Sequence, residues 1–385
     1  MKRAIAVTVI AATVLITLIG CGERDAAAEA EAADFRIGIV FDVGGRGDRS
    51  FNDSAYQGLV QIAESYGGFI ADDPDGVDFG NAVEMKYMEP REGGQDREQL
   101  LRILAEDGFD LLFGVGFAFT DALAKVAADF PDTHFALIDG IILDVDAASN
   151  ITCIAFAEHE GSFLVGALAG LMIQNTGGGR VGFIGGMDIP LIHRFHAGFA
   201  AGAMYVNPAL RDSGMVMGQY IGQDPTAFHD PQTAENIAID MYSENAQIIY
   251  HAAGGSGSGL FQAAYDMGRW AIGVDSDQGL VYAESDTAQE RAIGEHIVSS
   301  MLKRVDNSVE LFSSEFIDGG GSVAGGYVSY GLDVGGVGYA LNDYNREMVE
   351  PYVEQLEELR AQVVAGEITV PDSHTALAEW HASTF

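Results

Sequence analysis

The sequence predicts an α/β protein built from two doubly wound parallel-sheet lobes. Short apolar and β-branched runs alternate with amphipathic stretches through most of the chain, beginning at Arg36. Such alternation indicates parallel strands whose connecting helices cover both faces of a sheet. The strands are too numerous for one sheet of ordinary size, which favours two sheets.

The individual strands are predicted from apolar runs bounded by glycine or polar residues. They are Arg36–Phe41, Val83–Met88, Leu111–Val115, Phe135–Asp139, Ile151–Phe156, Arg180–Ile184, Val216–Ile221, Ile248–His251 and Ala271–Val274. The helices are predicted from apolar residues at helical spacing. They are Ser54–Ser65, Gln95–Glu106, Asp121–Ala128, Gly161–Ile173, Ile192–Tyr205, Gln232–Ser243, Leu260–Met267 and Asn342–Val364, followed by a polar tail.

The N-terminus has the pattern of a lipoprotein signal peptide over residues 1–20. Two basic residues precede an apolar stretch, and Gly20 stands directly before Cys21. This pattern predicts export, cleavage before Cys21 and lipidation of its thiol, so the protein would be anchored to the membrane on the extracytoplasmic side of the cell envelope. The alternative is an ordinary signal peptide, whereas a spanning helix would need about 20 apolar residues. Residues 21–35 are expected to form a flexible tether.

Composition excludes some partners. The chain carries 57 acidic and 20 basic residues, a net charge of -37. Such a surface repels nucleic acid and anionic lipid headgroups. If Cys21 is lipidated, Cys153 has no partner for a disulfide, and its apolar surroundings predict a buried structural thiol.

The order of the strands suggests how the chain divides between the lobes. We expect an N-terminal lobe from residues 36–155 and 275–323, and a C-terminal lobe from residues 156–274 and 324–385. The chain would therefore leave the first lobe after residue 155 and return near Asp275.

In parallel α/β sheets, ligands bind at the carboxyl ends of the strands. The loops at those ends hold the unusual residues of this chain, at 41–53, 114–119, 139–140, 185–188, 253–259 and 273–278. Asp275 directly follows an apolar strand and is therefore expected at the cleft. Of Phe117 and Phe119, one should line the cleft and the other fill the core, with Phe117 preferred for the cleft. Asp139 could cap the next element or touch a ligand.

Four segments occur in the order in which a known family carries them. They are Asp42 to Asn52 with the core Ser50-Phe51-Asn52, Glu160-Gly161-Ser162-Phe163-Leu164-Val165-Gly166, Gly185-Gly186-Met187-Asp188, and Gly273-Val274-Asp275-Ser276-Asp277. From about residue 36 to about residue 333 the chain resembles the basic membrane protein family of ABC-transporter substrate-binding lipoproteins, which includes the purine nucleoside receptor. The resemblance implies the type I periplasmic-binding-protein fold, with two lobes joined by a three-strand hinge and a ligand held between them.

The resemblance also implies roles for residues of the first lobe. Phe51 would stack on a purine base, and Asn52 would hydrogen-bond the edge of the base. Asp42, with Asp48 as the weaker candidate, would face the cleft from the same loop. Stacking of this kind is worth about 1–3 kcal/mol per base.

The remaining ligand contacts would come from later segments. Asp275 would accept hydrogen bonds from ribose hydroxyls, and Gly254 with Gly255 would let the backbone approach the sugar. Lys303 resembles a lysine that reaches the ligand in the family, and Tyr250 is the expected second stacking aromatic. An acidic run at residues 284–290 is longer than the family pattern.

The function expected from the resemblance is nucleoside capture, with purine nucleosides preferred. The partners would be an ABC permease and its ATPase, with the protein acting as a monomer and without catalytic residues, metal or cofactor. The glycine-rich run 254–259 lacks the Lys-Ser/Thr pair of a phosphate-binding loop, and His193 with His196 lacks the pattern of a zinc site. The alternatives are a receptor for sugars or other polar solutes, a nucleoside hydrolase and a surface antigen.

Overall fold

The computed structural model describes residues 33–175 and 177–385. The predicted signal peptide, the lipidation site Cys21 and most of the predicted tether lie outside these residues. The strands are β1 (Phe35–Val40), β2 (Phe69–Ile70), β3 (Val83–Met88), β4 (Leu111–Val115), β5 (His134–Ile138), β6 (Ile151–Phe156), β7 (Arg180–Met187), β8 (Val216–Gly222), β9 (Ala246–Ala252), β10 (Trp270–Asp275), β11 (Ile297–Lys303), β12 (Gly326–Tyr330) and β13 (Val337–Tyr339). The helices are α1 (Phe51–Tyr66), α2 (Arg97–Glu106), α3 (Thr120–Asp129), α4 (Glu158–Asn175), α5 (Pro190–Val206), α6 (Pro231–Ser243), α7 (Gly257–Met267), α8 (Gln278–Ala283), α9 (Ala288–Gly294), α10 (Val305–Asp318), α11 (Arg346–Val364) and α12 (His374–Thr384).

The first sheet has seven strands in the order β12-β6-β5-β4-β1-β3-β2. All of its strand pairs are parallel. Within β4, Leu111, Phe113 and Val115 join one hydrophobic cluster, whereas Leu112 joins another. Because both faces are covered, β4 reads in the sequence as one continuous apolar run.

The second sheet has six strands in the order β13-β11-β10-β9-β7-β8. Its pairs are parallel except for the short β13, which runs antiparallel to β11. Phe183 and Ile184 of β7 join clusters on opposite faces. The predicted α/β class with two parallel-sheet lobes is confirmed. The first lobe is defined as the first sheet together with the segments packed on it. The second lobe is defined as the second sheet together with the segments packed on that sheet.

The chain crosses between the sheets three times, between β6 and β7, between β11 and β12, and between β12 and β13. This order corrects two predicted lobe assignments. We predict residues 275–323 for the N-terminal lobe, but β11 within that range pairs with β10 in the second sheet. We predict residues 324–385 for the C-terminal lobe, but β12 pairs with β6 in the first sheet. The prediction places the return to the first lobe at Asp275. In the structure β11 still belongs to the second sheet, so the chain returns to the first sheet only between β11 and β12.

Helices α4 and α5 pack closely enough to fix the position of α5. A Cβ atom on Gly166 would lie 2.1 Å from the carbonyl oxygen of Phe199, and one on Gly202 would lie 1.9 Å from that of Phe163. Only glycine permits backbones to approach this closely. The crossing holds α5 so that Phe195 reaches the space between the lobes.

The C-terminal part is more helical than predicted. The long helix predicted from Asn342 is α11, which begins at Arg346, and the predicted polar tail contains α12, capped at its start by the Ser373 hydroxyl. Among the described residues, none of the helices combines the length and the apolar character needed to cross a membrane.

Candidate ligand-binding site

A cavity lies between the two sheets at the carboxyl ends of their strands. It encloses about 670 Å³ including its opening to solvent. From the first lobe it is lined by Asp42, Val43, Asp48, Phe51, Asn52, Gly116, Phe117 and Asp139. From the second lobe it is lined by Leu191, Ile192, Phe195, Pro225, Phe228, Ala252, Gly254, Gly255, Val274, Asp275 and Lys303.

Four phenylalanines contribute aromatic surface to the cavity. Phe51 and Phe117 come from the first lobe, and Phe195 and Phe228 come from the second. The rings of Phe117 and Phe228 meet at an angle of 64° with their centroids 6.5 Å apart. The ammonium of Lys303 lies 5.1 Å from the Phe51 centroid and 5.5 Å from the Phe195 centroid, so these two rings converge on one group. Aromatic walls of this kind suit a flat ring in the ligand.

The loop between β1 and α1 is organised by the carboxylate of Asp48. It accepts hydrogen bonds from the backbone N–H groups of Ser50, Asn52 and Asp53 at 2.9–3.1 Å, and from the side-chain amide of Asn52 at 3.0 Å. Burial and the nearby carboxylate of Asp53 raise the pKa of Asp48 to about 7. Since four donors inside the loop already occupy this carboxylate, Asp48 mainly sets the conformation from which Phe51 begins α1.

Asp42 reaches the cavity just after β1, and its carboxylate forms an ion pair with Arg97, which was not among the predicted site residues. Arg97 donates from Nη2 to Oδ1 of Asp42 at 2.5 Å, and the N–H of Val43 donates to the same oxygen at 2.7 Å. Burial raises the pKa of Asp42, and Arg97 opposes this rise. Asn52 accepts from the N–H of Asp42 at 2.9 Å and donates one amide hydrogen to Asp48. The other amide hydrogen of Asn52 has no partner among the described residues.

A buried lysine and three acids form what we call the charge cluster: Lys303, Asp139, Glu158 and Asp275. The Nζ of Lys303 pairs with Oδ2 of Asp139 and lies 3.2 Å from Oε1 of Glu158. Arg194 approaches the other oxygen of Glu158 at 3.4 Å. Burial opposes the charge on Lys303, but the carboxylates of Asp139, Glu158 and Asp275 outweigh it and raise the pKa of the ammonium. A single buried ammonium thus pairs with acids from two separate chain segments, and a third acid, Asp275, lies near enough to influence its charge.

Asp139 and Asp275 share an uncommon backbone conformation at strand ends in the two sheets. Each has a φ of +64°, which a residue other than glycine adopts rarely and mostly at functional sites. Burial raises the pKa of Asp139 to about 6 against the pull of Lys303, and burial also raises the pKa of Asp275. The hydroxyl of Ser50 donates to Oδ2 of Asp275 at 2.5 Å. Oδ1 of Asp139 is buried without a partner among the described residues, so it is free to accept from a ligand.

The predicted ligand-binding residues line this cavity with one exception, Tyr250. Its side chain is fully buried, its hydroxyl lies 3.1 Å from that of Ser162, and its ring packs on Phe183 and Phe199. The prediction that Tyr250 faces the cleft is wrong because Tyr250 lies two residues before the carboxyl end of β9. It is on the same face of the strand as Ala252 but deeper within the sheet. Tyr250 points into the core, and the strand continues to Ala252, which lines the cavity.

Gly254 and Gly255 line the cavity where the 3-10 turn Pro225–His229 packs against the start of α7. Gly254 has a φ of +53°, and a Cβ atom there would lie 3.2 Å from the carbonyl oxygen of Phe228. The Ser256 hydroxyl donates to the carbonyl of Ala227 at 2.8 Å. The glycines therefore admit the turn that brings Phe228 to the cavity.

Sequence reasoning missed Phe195, Phe228 and Glu158, and it left Asp139 undecided. The signal for Asp139 was present, because an acid follows an apolar strand there as it does at Asp275. The two phenylalanines had no local signal in the sequence. Phe195 lies on α5 and Phe228 in the turn Pro225–His229, and only the tertiary packing of these elements places the two rings at the cavity. In residues 33–175 and 177–385, no three or more His, Cys, Asp or Glu side chains are grouped so that they could hold a metal ion.

Comparison with known proteins finds a family model, relatives in sequence and a solved structure that each match most of this chain. The Bmp family model, described as ABC transporter substrate-binding protein PnrA-like, matches residues 35–374. The ABC transporter nucleoside-binding protein BmpA of Lactococcus lactis subsp. cremoris is 30% identical, with 96% of this chain and 99% of that protein covered. A lipoprotein of Pyrococcus abyssi is 33% identical, with 88% of this chain and 77% of that protein covered. The crystal structure of an ABC transporter solute-binding protein from Aeropyrum pernix K1 is 27% identical, with a TM-score of 0.72, covering 91% of this chain and 98% of its own.

Proposed function

This chain belongs to the Bmp family of PnrA-like ABC transporter substrate-binding proteins, and we propose that it captures a nucleoside, preferably a purine nucleoside, between its lobes. Its two sheets and three crossings form the type I periplasmic-binding-protein fold. The family consists of binding proteins rather than enzymes. We also propose that the chain is anchored by a lipid and delivers its ligand to an ABC permease with its ATPase.

The observation that carries the proposal is the pairing of aromatic walls with buried acids in one cavity. Phe51 and Phe117 from one lobe face a cavity that Phe195 and Phe228 enter from the other. A purine base would lie against such rings, while the free Oδ1 of Asp139 would accept a hydrogen bond from a sugar hydroxyl. A nucleoside contains both an aromatic ring and vicinal hydroxyls, and the L. lactis relative is named for nucleoside binding.

The charge of the cavity favours an uncharged nucleoside over a nucleotide. Asp139, Glu158 and Asp275 outnumber the buried ammonium of Lys303. A phosphate brought into this cluster would meet carboxylates in a medium where charge repulsion is strong. We therefore expect nucleoside monophosphates to bind much more weakly than their nucleosides.

The lipid anchor is proposed from residues that precede the described part of the chain. The small residue Gly20 before Cys21 after a basic and apolar leader supports cleavage and lipidation there. The relative from P. abyssi is named a lipoprotein. Anchoring would keep the receptor, which we expect to act as a monomer, beside its permease on the extracytoplasmic face of the membrane.

Calorimetric titration of the soluble form, starting after Cys21, tests the ligand class. We expect one-to-one binding of guanosine, adenosine or inosine, weaker binding of cytidine, and little binding of ribose or guanosine monophosphate. Tight binding of ribose alone would favour a sugar receptor instead. Release of hypoxanthine from inosine during the titration would indicate a hydrolase and contradict the proposal.

Replacement of Phe51 by alanine should weaken purine nucleoside binding by about 1–3 kcal/mol, because the stacking face is lost. Phe51→Leu is the matched control, since it keeps apolar bulk without a flat face and should bind with intermediate affinity. The measurement is the dissociation constant of inosine for the three proteins. Equal affinity for all of them would remove Phe51 from the ligand site.

A further inference from the structure

Outside the cavity, Arg49 of the β1–α1 loop makes several contacts between the two lobes. Nη2 of Arg49 lies 2.8 Å from Oε1 of Glu290, and its guanidinium carbon lies 5.0 Å from the ring centroid of Tyr282. The carbonyl oxygen of Arg49 accepts a hydrogen bond from Nε2 of Gln278 at 2.9 Å. None of these four residues lines the cavity. Arg49 therefore joins the first lobe to α8 and α9 of the second by both its side chain and its backbone.

The backbone of Arg49 is held in a conformation that arginine seldom adopts. Its φ is +52°, and its N–H donates to Oδ2 of Asp53 at 2.8 Å. Gln278 is itself fixed within the second lobe, because its Oε1 accepts from the N–H of Val274 at 2.9 Å and lies 3.0 Å from Nε2 of His251. Since strained conformations persist only where surrounding contacts impose them, the loop is shaped to meet Gln278.

The acidic run at residues 284–290 supplies the other half of the contact. Thr287 caps α9 by accepting from the N–H of Glu290 at 3.2 Å, and the Ser285 hydroxyl donates to the Glu290 carboxylate. Arg291 donates to the carbonyl of Ser285 at 2.5 Å. These bonds fold the run into a turn that presents Glu290 to Arg49. The acidic run thus ends in a contact between the lobes.

We infer that Arg49, Gln278, Tyr282 and Glu290 form a latch that sets the affinity of the ligand site without touching the ligand. The inference rests on the proposed function, in that the ligand is taken to bind the closed arrangement of the lobes. The partners lie on opposite lobes, so their contacts exist only when the lobes are closed. The observed dissociation constant is the intrinsic one divided by the closed fraction. A contact that stabilises closure therefore tightens binding by the same factor.

The latch makes nucleoside binding sensitive to salt. The Arg49–Glu290 pair is partly exposed, with about a third of each side chain accessible, so added salt screens it. A nucleoside carries no charge, and the buried charge cluster is shielded from solvent ions. Dependence of the dissociation constant on sodium chloride therefore reports the latch.

Replacement of Glu290 by glutamine should raise the dissociation constant about twofold to fivefold at low salt. The salt dependence seen in the wild type should largely disappear. Glu284→Gln is the matched control, because it removes the same charge from an exposed residue of the run that forms no ion pair in the described part of the chain. Glu284→Gln should behave as the wild type does. Equal salt dependence in the wild type and Glu290→Gln would overturn the latch.

A distance measurement without ligand tests the latch independently of the ligand class. Spin labels on cysteines introduced at the exposed positions Ser65 on α1 and Asp266 on α7 report the separation of the lobes. The short-distance population of the unliganded protein should fall in Glu290→Gln and stay unchanged in Glu284→Gln. If no nucleoside binds the wild type, the proposed function fails while this result still stands. Identical distance distributions in the three proteins would contradict the latch even if nucleosides bind.

Discussion

Replacement of Lys303 by methionine is expected to lower the free energy of unfolding at pH 7 by about 3–5 kcal/mol, the usual loss when one partner of a buried ion pair is removed. Lys303 is almost fully buried, and it is paired with Asp139 and with Glu158. Methionine fills much of the same volume without the charge. The carboxylates would then remain buried without the ammonium that compensates them, so the loss comes from electrostatics rather than from packing.

The destabilisation in Lys303→Met should shrink as the pH falls. Burial already raises the pKa of Asp139 to about 6 in the wild type, against an ordinary value of 3.8. Without Lys303 that pKa rises further, so the folded protein binds more protons than the unfolded chain between about pH 4 and pH 7. Stability then declines as the pH rises through this window. The gap to the wild type is therefore expected to be larger at pH 8 than at pH 5.

Urea denaturation of the soluble protein at pH 5 and pH 8 measures both effects. Lys125→Met serves as the control, because Lys125 is exposed and pairs with Glu98 at 2.7 Å on the surface. That variant should differ little from the wild type at either pH. A loss in Lys303→Met below about 1 kcal/mol, or the same at both pH values, would mean that the charge cluster does not depend on Lys303.

The sequence could predict those parts of the site that follow directly from strand ends. Asp42 and Asp275 both lie where a β-branched run stops and a polar residue follows, so the local pattern and the geometry of parallel sheets were sufficient to predict them. The predicted position of the Tyr250 side chain was wrong for a related reason. Predicting how far a side chain lies from the cleft requires knowing where the strand ends, and β9 runs one residue beyond the predicted end at His251.

The local sequence of β11 did not indicate that this segment is a strand. Two serines stand in the middle of Ile297–Lys303, and such residues are more typical of a loop. In the folded chain the Ser299 hydroxyl donates to the carbonyl of Ala340, and Ser300 accepts from the N–H of Gln278. Distant segments thus satisfy these hydroxyls within a buried strand. No reading of the strand alone could have supplied those partners, which is why the second crossing was misplaced.

The charge cluster could not be assembled from the sequence for the same physical reason. Asp139, Glu158 and Lys303 come from the end of β5, the start of α4 and the end of β11. In an acidic chain every basic residue has many carboxylates that could pair with it. Only the crossings between the sheets decide that Lys303 meets these two acids and remains buried with them.

Replacement of Asp275 by asparagine is expected to weaken nucleoside binding by about 1.5–3 kcal/mol, or about 10-fold to 150-fold, because hydrogen bonds from sugar hydroxyls to a carboxylate are lost. Asparagine has nearly the same shape and tolerates the positive φ of this position. Burial raises the pKa of Asp275, so removal of its charge should not unfold the protein. Loss of the stronger bond from Ser50 is the main structural penalty.

The pair inosine and hypoxanthine separates the sugar from the base. Asp275→Asn should lose affinity for inosine while its affinity for hypoxanthine, which has no ribose, stays close to that of the wild type. Asp188→Asn is the control, because Asp188 also follows a strand, β7, but is exposed and does not line the cavity. That variant should bind both ligands as the wild type does. Equal losses for inosine and hypoxanthine in Asp275→Asn would show that the carboxylate does not contact the sugar, leaving Asp139 as the acceptor for the ribose.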